Sequence, residues 1–280
     1  MFESLDESVL ELRGVENSNK NTDTLYEYNG TKVPRVSRIL DTCFDKSSII
    51  YWASSVSKQE YESCRKTACT VGTYVHEYIE GYLDNKEEPN FNDIFIKEHR
   101  ELARTAFFNF VGWHNRFTNI GFKINPLFIE QQITTPWYGG TIDCIAEIIF
   151  PNGYTENVIV DFKTSRTITS EYIMQTFAYM WAVNWNRVNN RATLPQISGT
   201  MIIRVDKSNN TYNWTYLNLT NNFYTFIELE KDLTNMVNWY YSQMNLAVIL
   251  KEAKRTAKKL MEVDYGKFGR DDPVRALDED

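Results

Sequence analysis

At 280 residues, 42% of them hydrophobic, the chain can bury a sizeable core and reads as one elaborated domain rather than two. A formal net charge of -7 argues against a protein that coats DNA nonspecifically, though not against an enzyme with a locally basic groove. No apolar run approaches membrane-spanning length, and the N-terminal MFESLDESVLEL is acidic and broken by charge, so the expectation is an intracellular protein with no membrane span and no signal peptide.

Residues before about Thr24 are polar and acidic and read as a loop or arm. LYEYNGTKVP then carries a hairpin signal, with Asn29-Gly30 supplying the two positive φ angles of a type I′ turn. Residues 1–33 are therefore taken as an arm and hairpin, and 34–262 as a single domain. PRVSRIL, from Pro34 to Leu40, opens a helical region with Ser37 as N-cap. Ser48 to Asp84 holds two or three helices, the last of them Val71 to Leu83, where Val71, Val75, Ile79 and Tyr82 form an apolar stripe. Gly72, His76 and Glu80 share an adjacent face at a spacing of four, the glycine permitting close approach to the sheet. Asn92 to Ile120 is a long amphipathic helix whose Phe107, Phe108, Phe110, Trp113 and Phe117 belong to the core, with His99 and His114 on the solvated face. Ile124 to Thr135 is the first long strand, with Glu130 near its middle.

The centre of the chain is a pair of strands, Thr141 to Phe150 and Glu156 to Lys163, joined by a PNGY turn. Val158, Ile159 and Val160 are an unbroken β-branched run, the pattern of a strand covered on both faces. Alternation puts Asp161 and Lys163 on one face, where that strand leaves the core. Asp143 and Asp161 meeting at the end of a hydrophobic sheet repel each other unless a cation holds both, which points to a divalent metal. Lys163 beside them fits phosphodiester hydrolysis, positioning or activating the attacking water while the metal acts as Lewis acid. Asp84-Asn85-Lys86 and Glu252-Ala253-Lys254 also match acid-x-lysine, but neither lies on an expected strand.

Thr169 or Ser170 caps the next helix, which runs to about Asn190 and carries Gln175 and Tyr179 one turn apart on the same face. Strands at Gly199 to Val205 and Tyr212 to Leu217 flank a DKSNN hairpin loop. A final helix from about Asn221 to Met261 ends in the basic KEAKRTAKKL, where Lys254, Arg255, Lys258 and Lys259 are candidate phosphate contacts; residues 263–280 form an acidic tail. Cys43, Cys64, Cys69 and Cys144 lack C-x-x-C spacing and read as free, largely buried thiols. Abundant asparagine and lysine with little alanine match an AT-rich genome such as a phage's.

Gly139-Gly140-Thr141-Ile142-Asp143 followed by Asp161-Phe162-Lys163-Thr164 resembles the core of the PD-(D/E)xK nucleases, closest to the RecB-like exonucleases and their phage and mitochondrial genome-maintenance relatives. The resemblance covers about Pro34 to Leu217. It implies that His76, in the form G-x-x-x-H from Gly72, ligates the metal together with Asp143, Asp161 and the carbonyl of Phe162. It also implies that Gln175 and Tyr179, as Q-x-x-x-Y, face the cleft and hold substrate phosphate or orient the lysine, with Glu80 and Glu130 as weak additional candidates. Some RecB-like nucleases carry an iron-sulfur cluster on one early and several late cysteines; nothing after Cys144 supplies the late group, so no iron-sulfur cluster is expected.

The fold expected is α/β, a restriction-endonuclease-like core with a central mixed sheet flanked by helices and an N-terminal helical layer. The function expected is a metal-dependent deoxyribonuclease using Mg²⁺ or Mn²⁺, an exonuclease acting from DNA ends in replication, recombination or repair. Its partners would be DNA with a free end and a replication or recombination protein, with no membrane. The alternatives are a structure-specific or restriction-like endonuclease and a nonenzymatic DNA-end-binding module.

Overall fold

A computed structural model describes residues 25–86, 89–189, 193–219 and 222–267, with side chains described as far as Arg255. The opening arm to residue 24 and the last residues of the acidic tail, 268–280, lie outside the described residues. The hairpin forms as β1 (Leu25–Tyr28) and β2 (Thr31–Pro34), with Asn29 at φ 48° and Gly30 at φ 79°.

Three helices follow, α1 (Val36–Asp41), α2 (Ser47–Ser55) and α3 (Lys58–Leu83). Ser37 is not the cap of α1: Arg35 occupies that position and no side chain caps it. Ser57 caps α3 by accepting from the Glu60 backbone N–H, the Ser-x-x-Glu arrangement that satisfies an otherwise orphaned donor. The buried stripe of α3 is Val71, Val75, Ile79 and Leu83, a strict spacing of four. Tyr82 turns instead toward α4 (Lys97–Asn119), where its hydroxyl pairs with His114 Nδ1 at 3.0 Å. Helix α4 begins later than expected, because Phe91–Asp93 first makes a 3₁₀ turn capped by the Asn90 side chain.

His99 and His114 are not on a solvated face. His99 is buried and its Nε2 pairs with Thr67 Oγ1 at 3.2 Å, so both imidazoles are polar links in the packing of α3 against α4. The cysteines are free as expected, but only Cys144 is buried; Cys64 and Cys69 are exposed because the first half of α3 stands clear of the sheet.

The sheet contains β3 (Lys123–Thr134), β4 (Gly139–Ile149), β5 (Thr155–Lys163), β6 (Gly199–Val205) and β7 (Tyr212–Asn218), in that spatial order. All neighbours are antiparallel except β5 and β6, whose parallel pairing requires the crossover helix α5 (Ser170–Asn189). Helices α3 and α4 cover one face, over Cys144, Val158, Val160, Phe162 and Ile203. The other face is covered by α1, α5 and α6 (Phe223–Lys267), over Ile142, Ile145 and Ile159. Val158, Ile159 and Val160 are all fully buried, as a strand covered on both faces requires. The protein is thus α/β, a five-stranded mixed sheet flanked by helices. Helix α6 runs on to Lys267, so the expected boundary of the acidic tail at residue 263 falls inside it. Among the described residues no helix is long and apolar enough to cross a membrane.

Candidate active site

The last paired residues of the β4–β5 ladder are Cys144 and Val160, so Asp143 and Asp161 face each other where the ladder ends. The Phe162 backbone N–H donates to Asp143 Oδ2 at 2.8 Å, and His76 Nδ1, from α3, lies 3.5 Å from the same oxygen. Lys163 Nζ donates to Asp161 Oδ1 at 2.8 Å and stands 4.9 Å from the centre of the Tyr172 ring on α5. Asp161 Oδ2 is 2.6 Å from the same ammonium, yet it is buried and accepts no hydrogen bond of adequate geometry.

The two glycines before Asp143 are there because two tyrosines lie against them. A Cβ on Gly139 would meet the Tyr26 side chain at 2.6 Å, and one on Gly140 would meet Tyr179 Cε1 at 2.4 Å. Tyr26 also pairs with Thr141 Oγ1 at 2.9 Å, which ties the β1–β2 hairpin to the start of β4. Gln175 Nε2 donates to the Tyr179 hydroxyl at 3.3 Å, so the two expected cleft residues of α5 act as a linked pair. Gly140→Ala should push Tyr179 aside and cost roughly 1–3 kcal/mol of stability, the usual penalty of overpacking. Chemical denaturation checks this, and an unchanged midpoint would contradict it. Gly72, by contrast, has room: a Cβ there would stand 3.7 Å from Thr164 Oγ1, ordinary contact, so the close approach expected of this glycine is not required.

Burial dominates the electrostatics, and the charges then sort the groups apart. Burial pushes the Asp161 carboxyl up to about 6, with Asp143 adding to the shift and Lys163 opposing it. Burial works in the same direction on Asp143, but His76, Lys163 and the Phe162 N–H outweigh it and hold that carboxyl below its ordinary value. Burial lowers both His76 and Lys163, yet the carboxylates more than compensate and raise each above its usual range. Lys163 therefore holds its proton firmly. Tyr179 is raised by burial and then by Asp161 and Asp143, so it remains a neutral hydroxyl.

A second acidic pair borders this cluster. The register pairs Ile129 with Cys144 and Gln131 with Ile142, which leaves Glu130 opposite Asp143 with a positive φ of 50°. Burial and then Glu130 push the Glu80 carboxyl up to about 7. Both acids line a groove of about 580 Å³ that continues past Leu83, Lys86 and Phe128.

Among the described residues no three His, Cys, Asp or Glu side chains form a ready-made metal cage. The donor chemistry nevertheless fits a divalent cation. The buried Asp161, the partly buried Asp143 and an imidazole meet there, and one carboxylate oxygen, Asp161 Oδ2, has no hydrogen bond to satisfy it. Phe162 directs its N–H toward β4, and in an extended chain its carbonyl faces the same edge.

The structure thus brings together His76, Asp143, Asp161, Phe162, Lys163, Gln175 and Tyr179, with Glu80 and Glu130 adjoining. Of the basic end of α6, Lys254 and Arg255 are exposed on that helix, and the side chains of Lys258 and Lys259 lie outside the described residues. Sequence reasoning missed Tyr26 and Tyr172, which carry no motif and reach the site through the hairpin and the start of α5. No family model matches the chain, and no curated protein matches its sequence. Among solved structures it is similar to one titled "Crystal structure of SSO0001", at 14% identity over 59% of this chain and 85% of that one, with a TM-score of 0.23, a likeness on which no argument rests.

Proposed function

We propose that the chain is a metal-dependent DNA exonuclease acting in replication, recombination or repair. One observation carries the reading: two carboxylates, the buried Asp161 and the partly buried Asp143, meet where the β4–β5 ladder ends, with an imidazole on Asp143 and a lysine on Asp161. Mg²⁺ or Mn²⁺ held by Asp143, Asp161, His76 and the Phe162 carbonyl would supply Lewis-acid stabilisation of the charge that develops on the phosphate.

The protein's own groups do the remaining work. Lys163 keeps its proton, so it serves as a hydrogen-bond donor that orients the attacking water or a phosphate oxygen, not as the base. Tyr179, neutral and linked to Gln175, is a donor for a phosphate oxygen on the α5 side of the cluster. Tyr172 lies against the lysine and limits where its ammonium can point. End-labelled linear DNA and covalently closed circles, each incubated with Mg²⁺ or Mn²⁺, test the proposal. Loss of linear DNA alone is expected. Efficient cutting of circles would make the protein an endonuclease, and no cleavage with either metal would leave a DNA-end-binding module.

The basic end of α6 is proposed to bind phosphates at a distance from the chemistry. Replacing Lys254, Arg255, Lys258 and Lys259 with glutamine should raise the apparent KM with little change in turnover at saturating DNA. The slope of log affinity against log salt should become shallower by about 0.7 to 0.9 for each phosphate that these side chains neutralise in the parent. Identical slopes for parent and variant would return this helix end to simple solvation.

A further inference from the structure

We propose that the groove between the end of α4 and the edge strand β7 is a subsite for one unpaired base of single-stranded DNA; only the choice of DNA as the nucleic acid rests on the function proposed above. The groove measures about 230 Å³ and is lined by Trp113, Arg116, Phe117, Ile120, Tyr212, Asn213 and Trp214. That is below the roughly 300 Å³ at which pockets begin to enclose a whole small molecule, so it suits one planar ring with its sugar and phosphate outside.

Its walls are aromatic, and the one charged side chain among its lining residues, Arg116, can only donate. Trp214 is 38% exposed and meets Phe117 edge to face at 5.7 Å, and Trp113 stacks on Phe117 at 5.0 Å. A base laid on Trp214 gains the sequence-tolerant stacking that single-strand binding proteins use. Trp113 is 1% exposed and backs the groove as the buried packing partner of Phe117. Arg116 is exposed at the rim, where a phosphate would sit. Among the described residues no carboxylate lines the groove, so Arg116 and the Asn213 amide suit a ligand rich in acceptors, as a nucleobase and its phosphate are.

A peptide strand added to the edge of β7 is the less suitable occupant. Asn213 Oδ1 already accepts the Trp214 backbone N–H at 3.0 Å, which removes one donor an incoming strand would need and leaves the Asn213 amide N–H groups as further donors. Trp214 stands in the sheet row of Ile203 and Phe162, two strands from β5, hence roughly 10 Å across the sheet from Phe162 at ordinary strand spacing.

Fluorescence titration of octathymidylate in EDTA, on Asp161→Asn protein so that no hydrolysis intrudes, tests the subsite. Trp214→Leu, which keeps an apolar neighbour for Phe117, and Arg116→Gln should each raise the Kd about five-fold or more. Kd values indifferent to Trp214→Leu and Arg116→Gln, or no binding by the Asp161→Asn parent, would overturn the proposal. Thymidine monophosphate binding as tightly as the octamer would also overturn it, by assigning the groove to free nucleotides. Cleavage of linear DNA by the unaltered protein is scored separately, so failure of the subsite and failure of the nuclease reading are told apart.

Discussion

Asp143→Asn, Asp161→Asn and Lys163→Ala should each lower DNA hydrolysis at least about 10² to 10³-fold, the loss that follows removal of one group stabilising charge in the transition state. The fold should survive all three. Each asparagine keeps the volume of the acid it replaces, and in Lys163→Ala the Asp161 carboxyl, already pushed up to about 6, is left without its cation and rises further, so it buries neutral at pH 7. Steady-state rates beside thermal melts of the same preparations read both halves of the expectation. Near-parent turnover by any one of the three, in a folded sample with Mg²⁺, would remove that residue from the site. DNA binding by the asparagine variants should be as tight as the parent's or tighter, because less negative charge faces the phosphates.

A second large effect is expected in the coupling of metal, proton and stability. With no metal, Asp161 titrates at about 6 when folded against 3.8 as the ordinary value. Between those pH values the folded chain keeps a proton the unfolded chain has released. This group's contribution to stability is therefore lost as pH rises through that window, by about 3 kcal/mol in all. A divalent cation competes with the same proton, and with the one that Asp143 helps His76 to hold against the pull of burial. Mn²⁺ at a hundred times its Kd should stabilise the folded protein by about 2.7 kcal/mol at pH 7.5, several degrees in melting temperature. The rise should fade below about pH 6. His76→Ala should reduce it and Asp161→Asn should abolish it. A rise that is the same at pH 5 and pH 7.5, or that persists in Asp161→Asn, would mean the metal binds elsewhere.

The strands and the acid-x-lysine pair are legible in the sequence because period-two alternation and β-branched runs are local signals; β4 and β5 follow the expected bounds closely. What escapes depends on approaches between elements distant in sequence. His99 and His114 read as solvated because nothing on α4 itself offers a partner; Thr67 and Tyr82 arrive from α3. The Gly139-Gly140 pair is visible as a motif, but its steric reason lies in Tyr26 and Tyr179, one far before it and one far after. Glu80 and Glu130 rank only as weak candidates in the sequence, since their approach depends on how α3 packs against β3 and on the irregular backbone at Glu130. Helix α6 exceeds its expected length because no glycine or proline interrupts it after its basic end until Gly266, beside its last residue, Lys267.

The central claim is that Asp143 and Asp161 together hold a divalent cation, and anomalous diffraction from crystals soaked in Mn²⁺ tests it most directly. The expected result is a peak between the two carboxylates, within ligand reach of the His76 imidazole and the Phe162 carbonyl, with the Lys163 ammonium drawn off Asp161 Oδ2. No peak there, with Lys163 still paired to Asp161 at saturating Mn²⁺, would contradict it.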